Sequence, residues 1–127
     1  MPLVRINLLE GKTAEFKKQL GELVYEAMLE TIGMPEEDKF VVINDSKKEE
    51  LVFSTNYLGI DRTEGIVIIQ ITMNEGRTTE VKKALYKTIA NKLNSELAIR
   101  KEDVFINLIE VKKENWSFGS GVAQYAE

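Results

Sequence analysis

The group with the clearest chemistry in this sequence is the nitrogen of Pro2. When the initiator Met1 is removed, as a small second residue generally permits, that ring nitrogen becomes a secondary amine instead of an amide. A free α-amino group titrates near ~7.7–8.0, and an apolar site that disfavours its charged form brings it close to neutral pH. Such a group can move protons without help from histidine. The chain contains neither histidine nor cysteine, which excludes imidazole bases, thiolate nucleophiles, disulfides and the usual zinc or iron sites. Any catalysis must use amines, carboxylates, arginines and the backbone. Proline is also common near amino termini, so position alone does not assign the role; the elements around it have to.

At 127 residues the chain fits one domain. A hydrophobic content of 43% with 30% charged residues is that of an ordinary globular protein, and the longest apolar run is far too short to span a bilayer. Arg5 and Asn7 interrupt the first apolar stretch and Glu10-Gly11-Lys12 ends it, which does not read as a signal peptide, so a cytoplasmic location is expected. The net charge of -4, with basic residues scattered among acidic ones, argues against a nucleic-acid partner.

Leu3 to Leu9 alternates, with Val4, Ile6 and Leu8 on one face and Leu3, Arg5 and Asn7 on the other, and predicts a strand. Glu10-Gly11-Lys12-Thr13 makes a turn in which Thr13 can cap a helix whose apolar positions Phe16, Leu20, Leu23, Val24, Ala27 and Met28 follow the helical period. Gly33 and Pro35 mark its end. A second strand is expected at Phe40 to Ile43. Asn44 to Gly65 is irregular and reads as a connection with room for one short strand at Leu51-Val52-Phe53.

The first unit then starts again. A shift of 65 residues, without a gap, carries Glu10-Gly11-Lys12-Thr13 onto Glu75-Gly76-Arg77-Thr78, Lys17-Lys18 onto Lys82-Lys83, Glu37-Asp38 onto Glu102-Asp103, and Phe40 onto Phe105. One offset held across strand, turn, helix and second strand is an internal duplication. The second unit is a strand from Ile66 to Met73, a helix from Thr78 to about Leu97 with Val81, Leu85, Ile89 and Leu93 inward, and a strand from Val104 to Val111. The predicted architecture is α/β (α+β): a tandem β-α-β repeat over residues 2–43 and 67–111, forming one four-stranded mixed sheet. Right-handed crossovers put both helices on one face. The other face, with Leu3, Arg5, Asn7, Ile68, Gln70, Thr72, Phe105 and Asn107, is too apolar for open water and too polar for a dry core, so association of subunits is expected. Residues 112–127 follow neither period. Trp116 and Phe118 beside Gly119 and Gly121 fit either an aromatic wall near a ligand or a hairpin packed on a neighbour.

The terminal proline, E-G-[KR]-T after each first strand, the doubled unit and Trp116-Ser117-Phe118-Gly119-Ser120-Gly121 together resemble the tautomerase superfamily of 4-oxalocrotonate tautomerase. Among its double-length members the chain is similar to the malonate semialdehyde decarboxylase group, through Met34-Pro35-Glu36-Glu37-Asp38-Lys39-Phe40, the Gly59-Ile60-Asp61-Arg62 region and the Asn115 to Gly121 stretch. The resemblance implies a homotrimer with helices outside and sheets facing a central bore. It implies Pro2 as the catalytic proline, Arg77 as the arginine that holds a substrate carboxylate, and Phe118, with Trp116 beside it, as the wall that keeps the proline apolar. Asp38 matches the acid that orients water or assists the proline. Asp103 occupies the same place in the second unit, so the acid can equally serve the turn before each second strand. The decarboxylase pattern has an arginine where this chain has Glu75, and an anion there repels a small acid.

The resulting expectation is a cofactor-independent isomerase, with Pro2 as general base on an unsaturated 2-oxo or 2-hydroxy acid. The alternatives are a decarboxylase or hydratase using cationic Pro2 with Asp38, and a trimeric binding protein with a vestigial pocket. No metal site is expected.

Overall fold

The computed structural model describes residues 2–126. Met1, on whose removal the chemistry of Pro2 depends, and Glu127 at the end of the carboxy-terminal segment lie outside the described residues.

Each half of the chain is built by the same local signals. Strand β1 (Leu3–Leu9) buries Val4, Ile6 and Leu8 and leads through the Glu10 to Thr13 turn into helix α1 (Ala14–Ile32). Thr13 caps that helix, its Oγ1 accepting from the Phe16 N–H at 3.0 Å, which satisfies one of the orphan donors of the first turn. Gly33 closes it in the left-handed conformation at φ 63°. In the second half, strand β3 (Val67–Asn74) leads into helix α2 (Thr79–Leu97), and Thr78 Oγ1 accepts from the Val81 N–H at 3.2 Å. Strand β2 (Val41–Ser46) begins one residue after Phe40 and outruns its apolar stretch, because Asn44 and Asp45 go on pairing with Asn7 and Leu8. Strand β4 (Val104–Val111) has the expected bounds.

The sheet order is β2-β1-β3-β4, with β1/β2 and β3/β4 parallel and β1/β3 antiparallel. The duplication is a symmetry of this sheet. Shifting the pair Leu3–Thr72 by the repeat gives Ile68–Asn7, another pair of the same β1/β3 ladder. A local twofold axis therefore passes through the centre of the sheet, and each of its two ends is a version of the other. Both helices lie on one face, where Leu20, Val24, Leu85, Ile89 and Leu93 pack over Val4, Ile6, Ile69 and Ile71. On the opposite face Leu3, Asn7, Ile68 and Thr72 are half-buried, and Arg5, Gln70, Phe105 and Asn107 are exposed.

The connection between the halves forms no strand. Its only regular pieces among the described residues are short helical turns at Lys48–Glu50 and Tyr57–Gly59. Leu51-Val52-Phe53 has strand-forming residues but no ladder partner, and Val52 is 89% exposed.

The repeat also exposes one local conflict. Ala98 occupies the place of Gly33 and takes the same left-handed conformation, at φ 55°, where its Cβ is strained. Ala98→Gly is expected to stabilise the fold by about 1 kcal/mol, read as a melting temperature a few degrees higher.

Candidate active site

The sheet topology decides which parts of the chain meet. Because β1 and β2 are parallel their starts coincide, and because β3 and β4 run the other way their ends arrive at that same edge. Continuing the β1/β2 register outward sets Pro2 beside Lys39, next to Asp38, and continuing the β1/β3 register sets Pro2 opposite Met73, next to Asn74. The chain leaving β4 delivers residues 112–126 to the same place. Sequence positions scattered over more than a hundred residues thus converge on the start of β1.

Pro2 is buried there, at a pocket of about 190 Å³ lined by Pro2, Leu3, Phe40, Trp116, Ser117 and Phe118. The aromatic wall is internally supported. Trp116 and Phe118 stack with centroids 5.5 Å apart at 20°, and Tyr125 meets Phe118 edge-on at 5.0 Å. Gln124 clamps the loop, with Oε1 accepting from the Phe118 N–H at 2.9 Å and Nε2 donating to the Gly119 carbonyl at 3.1 Å. Gly119 itself stands at φ 148°, a backbone conformation that a side chain would oppose.

Arg77 is half-buried and is not one of the lining residues; it reaches the site through Asn74. Its Nη1 donates to the Asn74 carbonyl at 3.1 Å, and the Asn74 side-chain Oδ1 accepts from Trp116 Nε1 at 2.7 Å. A guanidinium has five N–H donors, so this one bond leaves the fork available for an anion. Glu75 is exposed, and its main-chain N–H donates to the Val111 carbonyl at 2.9 Å. Asn74 and Gln124 carry no motif. The sequence signal for Asn74 is only that it stands where the first repeat has Leu9.

The two repeated acids differ. Asp103, 2% exposed, accepts from the Thr63 N–H at 2.7 Å and from Thr63 Oγ1 at 2.5 Å, with Arg100 Nη1 at 3.6 Å. It pins the loop that enters β3. Asp38, 8% exposed, lies instead beside the amino-terminal stretch. Burial pushes its carboxyl above the ordinary value, and Glu37 reinforces this.

A larger cavity, about 220 Å³, lies at the other end of the sheet, where Lys12, Asp103 and Val67 stand in the repeat positions of Arg77, Asp38 and Pro2. The nitrogen of Val67 is an internal peptide and cannot be a base, so of the two ends only that of Pro2 can offer an amine, and only once Met1 is removed.

Two family models, each described as tautomerase enzyme, match residues 38–119 and 2–60. The chain is also 43% identical to the probable tautomerase YusQ of Bacillus subtilis (strain 168) over 127 residues, 100% of both chains. This chain belongs to the tautomerase family. It is similar over 97% of its length, and 95% of the other chain, to a malonate semialdehyde decarboxylase described as having decarboxylase and hydratase activities, at a TM-score of 0.90 and 28% identity. A fused 4-OT described as an asymmetric trimer shares the fold at a TM-score of 0.78 and 18% identity, over 96% of each chain. As in that tautomerase fold, a mixed four-stranded sheet carries two helices on one face. Among the described residues no helix is long and apolar enough to cross a membrane.

Proposed function

We propose that this tautomerase-family chain is a cofactor-independent isomerase in which Pro2 is the general base. The observation that carries the proposal is the burial of Pro2 against an aromatic-walled pocket. Apolar walls disfavour the ammonium form and keep the amine neutral enough to accept a proton. With Met1 removed, Pro2 takes the proton from the enol oxygen or α-carbon of an unsaturated 2-oxo or 2-hydroxy acid. It returns that proton to another carbon of the delocalised anion, so the product is an isomer and the amine is regenerated. Arg77 holds the carboxylate and stabilises the dienolate, while Trp116 and Phe118 keep water away.

The test is ketonisation of phenylenolpyruvate and 2-hydroxymuconate by protein whose intact mass shows Met1 removed. Turnover well above buffer is expected; failure with both substrates would overturn the reading. Arg77→Ala is expected to raise KM about 10- to 100-fold, the loss of a charge-assisted pair, with a smaller change in kcat.

The similarity to malonate semialdehyde decarboxylase and the position of Asp38 favour a second reading, in which cationic Pro2 polarises a carbonyl and Asp38 handles water. Exposed Glu75 counts against it. The pH profile separates the two. A base loses rate as pH falls through the proline pKa, and an acid loses it as pH rises.

We also propose a homotrimer, supported by the uncovered sheet face and by the fold shared with a trimeric fused 4-OT. Sedimentation equilibrium would read three times the chain mass, and a monomer would contradict it.

A further inference from the structure

Asn74 makes two bonds from one residue, in two directions. Its carbonyl holds Arg77 Nη1 at 3.1 Å and its side-chain Oδ1 holds Trp116 Nε1 at 2.7 Å. An indole N–H is a donor with no acceptor capacity, and a part-buried tryptophan needs one acceptor to stay in place. Trp116 in turn supports Phe118, 5.5 Å away, and both residues line the same pocket as Pro2. The fold does not need an asparagine here. In the first repeat the same strand end and the same Glu-Gly-basic-Thr turn are built with Leu9.

We propose that Asn74 is a positioning residue for the tautomerase reaction: its side chain fixes the indole of Trp116, and so closes the aromatic wall over Pro2. This rests on the reading of Pro2 as the base. Without Oδ1 the indole must find water as its partner, and the wall opens with it. Water then reaches the amine and restores its charged form. The clasp on Arg77 is made to a main-chain oxygen, so no side-chain change removes it, and carboxylate binding survives. Asn74 therefore acts on kcat with KM little changed, whereas Arg77 acts chiefly on KM and to a smaller extent on kcat.

Asn74→Leu installs the residue that the first repeat already uses. Trp116 is the only tryptophan of the chain, so its emission reports the contact directly. In Asn74→Leu the emission is expected to shift to the red and to become about twice as quenchable by acrylamide. The kcat should fall about 10- to 100-fold, with KM changed less than about threefold and the acid limb of the kcat profile moved to higher pH. Asn74→Asp keeps an acceptor and should restore the emission. Trp116→Phe removes the donor instead; it should reproduce the kinetic pattern, and it carries the test if Asn74→Leu does not fold. In the Trp116→Phe background Asn74→Leu should add nothing.

Additive effects of the two substitutions, unchanged emission, or a raised KM at unchanged kcat would each overturn the role of Asn74 and leave the tautomerase reading standing. Folded, processed wild type with no ketonisation would overturn that reading and this role together.

Discussion

Replacing Pro2 by alanine is expected to lower kcat for ketonisation by at least about 100-fold, with the melting temperature little changed. A positioned general base contributes about 10²- to 10⁴-fold. Alanine still supplies an amine after processing, but a primary one that can rotate, and the ring that packs the nitrogen against Leu3 and the aromatic wall is gone. Retention of Met1 is the harsher change. It turns the proline nitrogen into a tertiary amide with no basic lone pair, and the whole contribution should disappear. Both proteins should be followed by intact mass beside kcat. Equal rates in processed wild type and Pro2→Ala would remove Pro2 from the mechanism, and undiminished rates in protein that keeps Met1 would remove any amine.

Much of this arrangement was legible before the fold, for identifiable reasons. Alternation at Val4, Ile6 and Leu8, the capping threonines Thr13 and Thr78, and Gly33 at a helix end are local signals, and local physics sets them in place. The duplication did more, since one gapless offset implied two equivalent strand-helix-strand units in one four-stranded sheet; the twofold relation between them is seen only in the antiparallel β1/β3 ladder. Pro2, Asp38, Trp116 and Phe118 were singled out together by the family resemblance, not by the duplication. What stayed hidden depends on tertiary pairing. Leu51-Val52-Phe53 has strand-forming residues but no ladder, and β2 outruns its apolar stretch because β1 continues to offer hydrogen bonds. Asn74 falls between the expected strand end at Met73 and the turn at Glu75, with no motif of its own; only the arrival of Trp116 from 42 positions away gives its side chain a partner. The different fates of Asp38 and Asp103 were hidden for the same reason, because the pattern around them is identical and their neighbours in space are not.

That difference gives the second large expected effect. Asp103→Ala should destabilise the fold by about 2–3 kcal/mol, a fall on the order of 10 °C in melting temperature. The substitution strips Thr63 of two hydrogen bonds, and it removes the carboxylate facing Arg100 Nη1, leaving that guanidinium with Asp61 and Glu102 at 3.7 and 3.9 Å from Nη2. Activity per folded molecule should hold, because that acid stands at the end of the sheet without an amine. Asp38→Asn should do the reverse. Burial raises the Asp38 carboxyl above its ordinary value near 3.8, so the folded state holds that proton more tightly than the unfolded one. Stability from such a group is complete below the ordinary value and is lost as pH rises through the folded one. Ionised Asp38 is therefore a liability at neutral pH, and asparagine should leave the melting temperature at pH 7 unchanged or higher, with a flatter stability profile through the acid range. Its catalytic mark should appear in the pH profile: removing a negative charge beside Pro2 lowers the proline pKa and moves the acid limb to lower pH. Thermal melts from pH 4 to 8 and kcat profiles of the two variants decide the matter. A destabilised Asp38→Asn with an unmoved acid limb would make Asp38 a structural acid like its repeat mate, and Pro2 would then work without a carboxylate at its side.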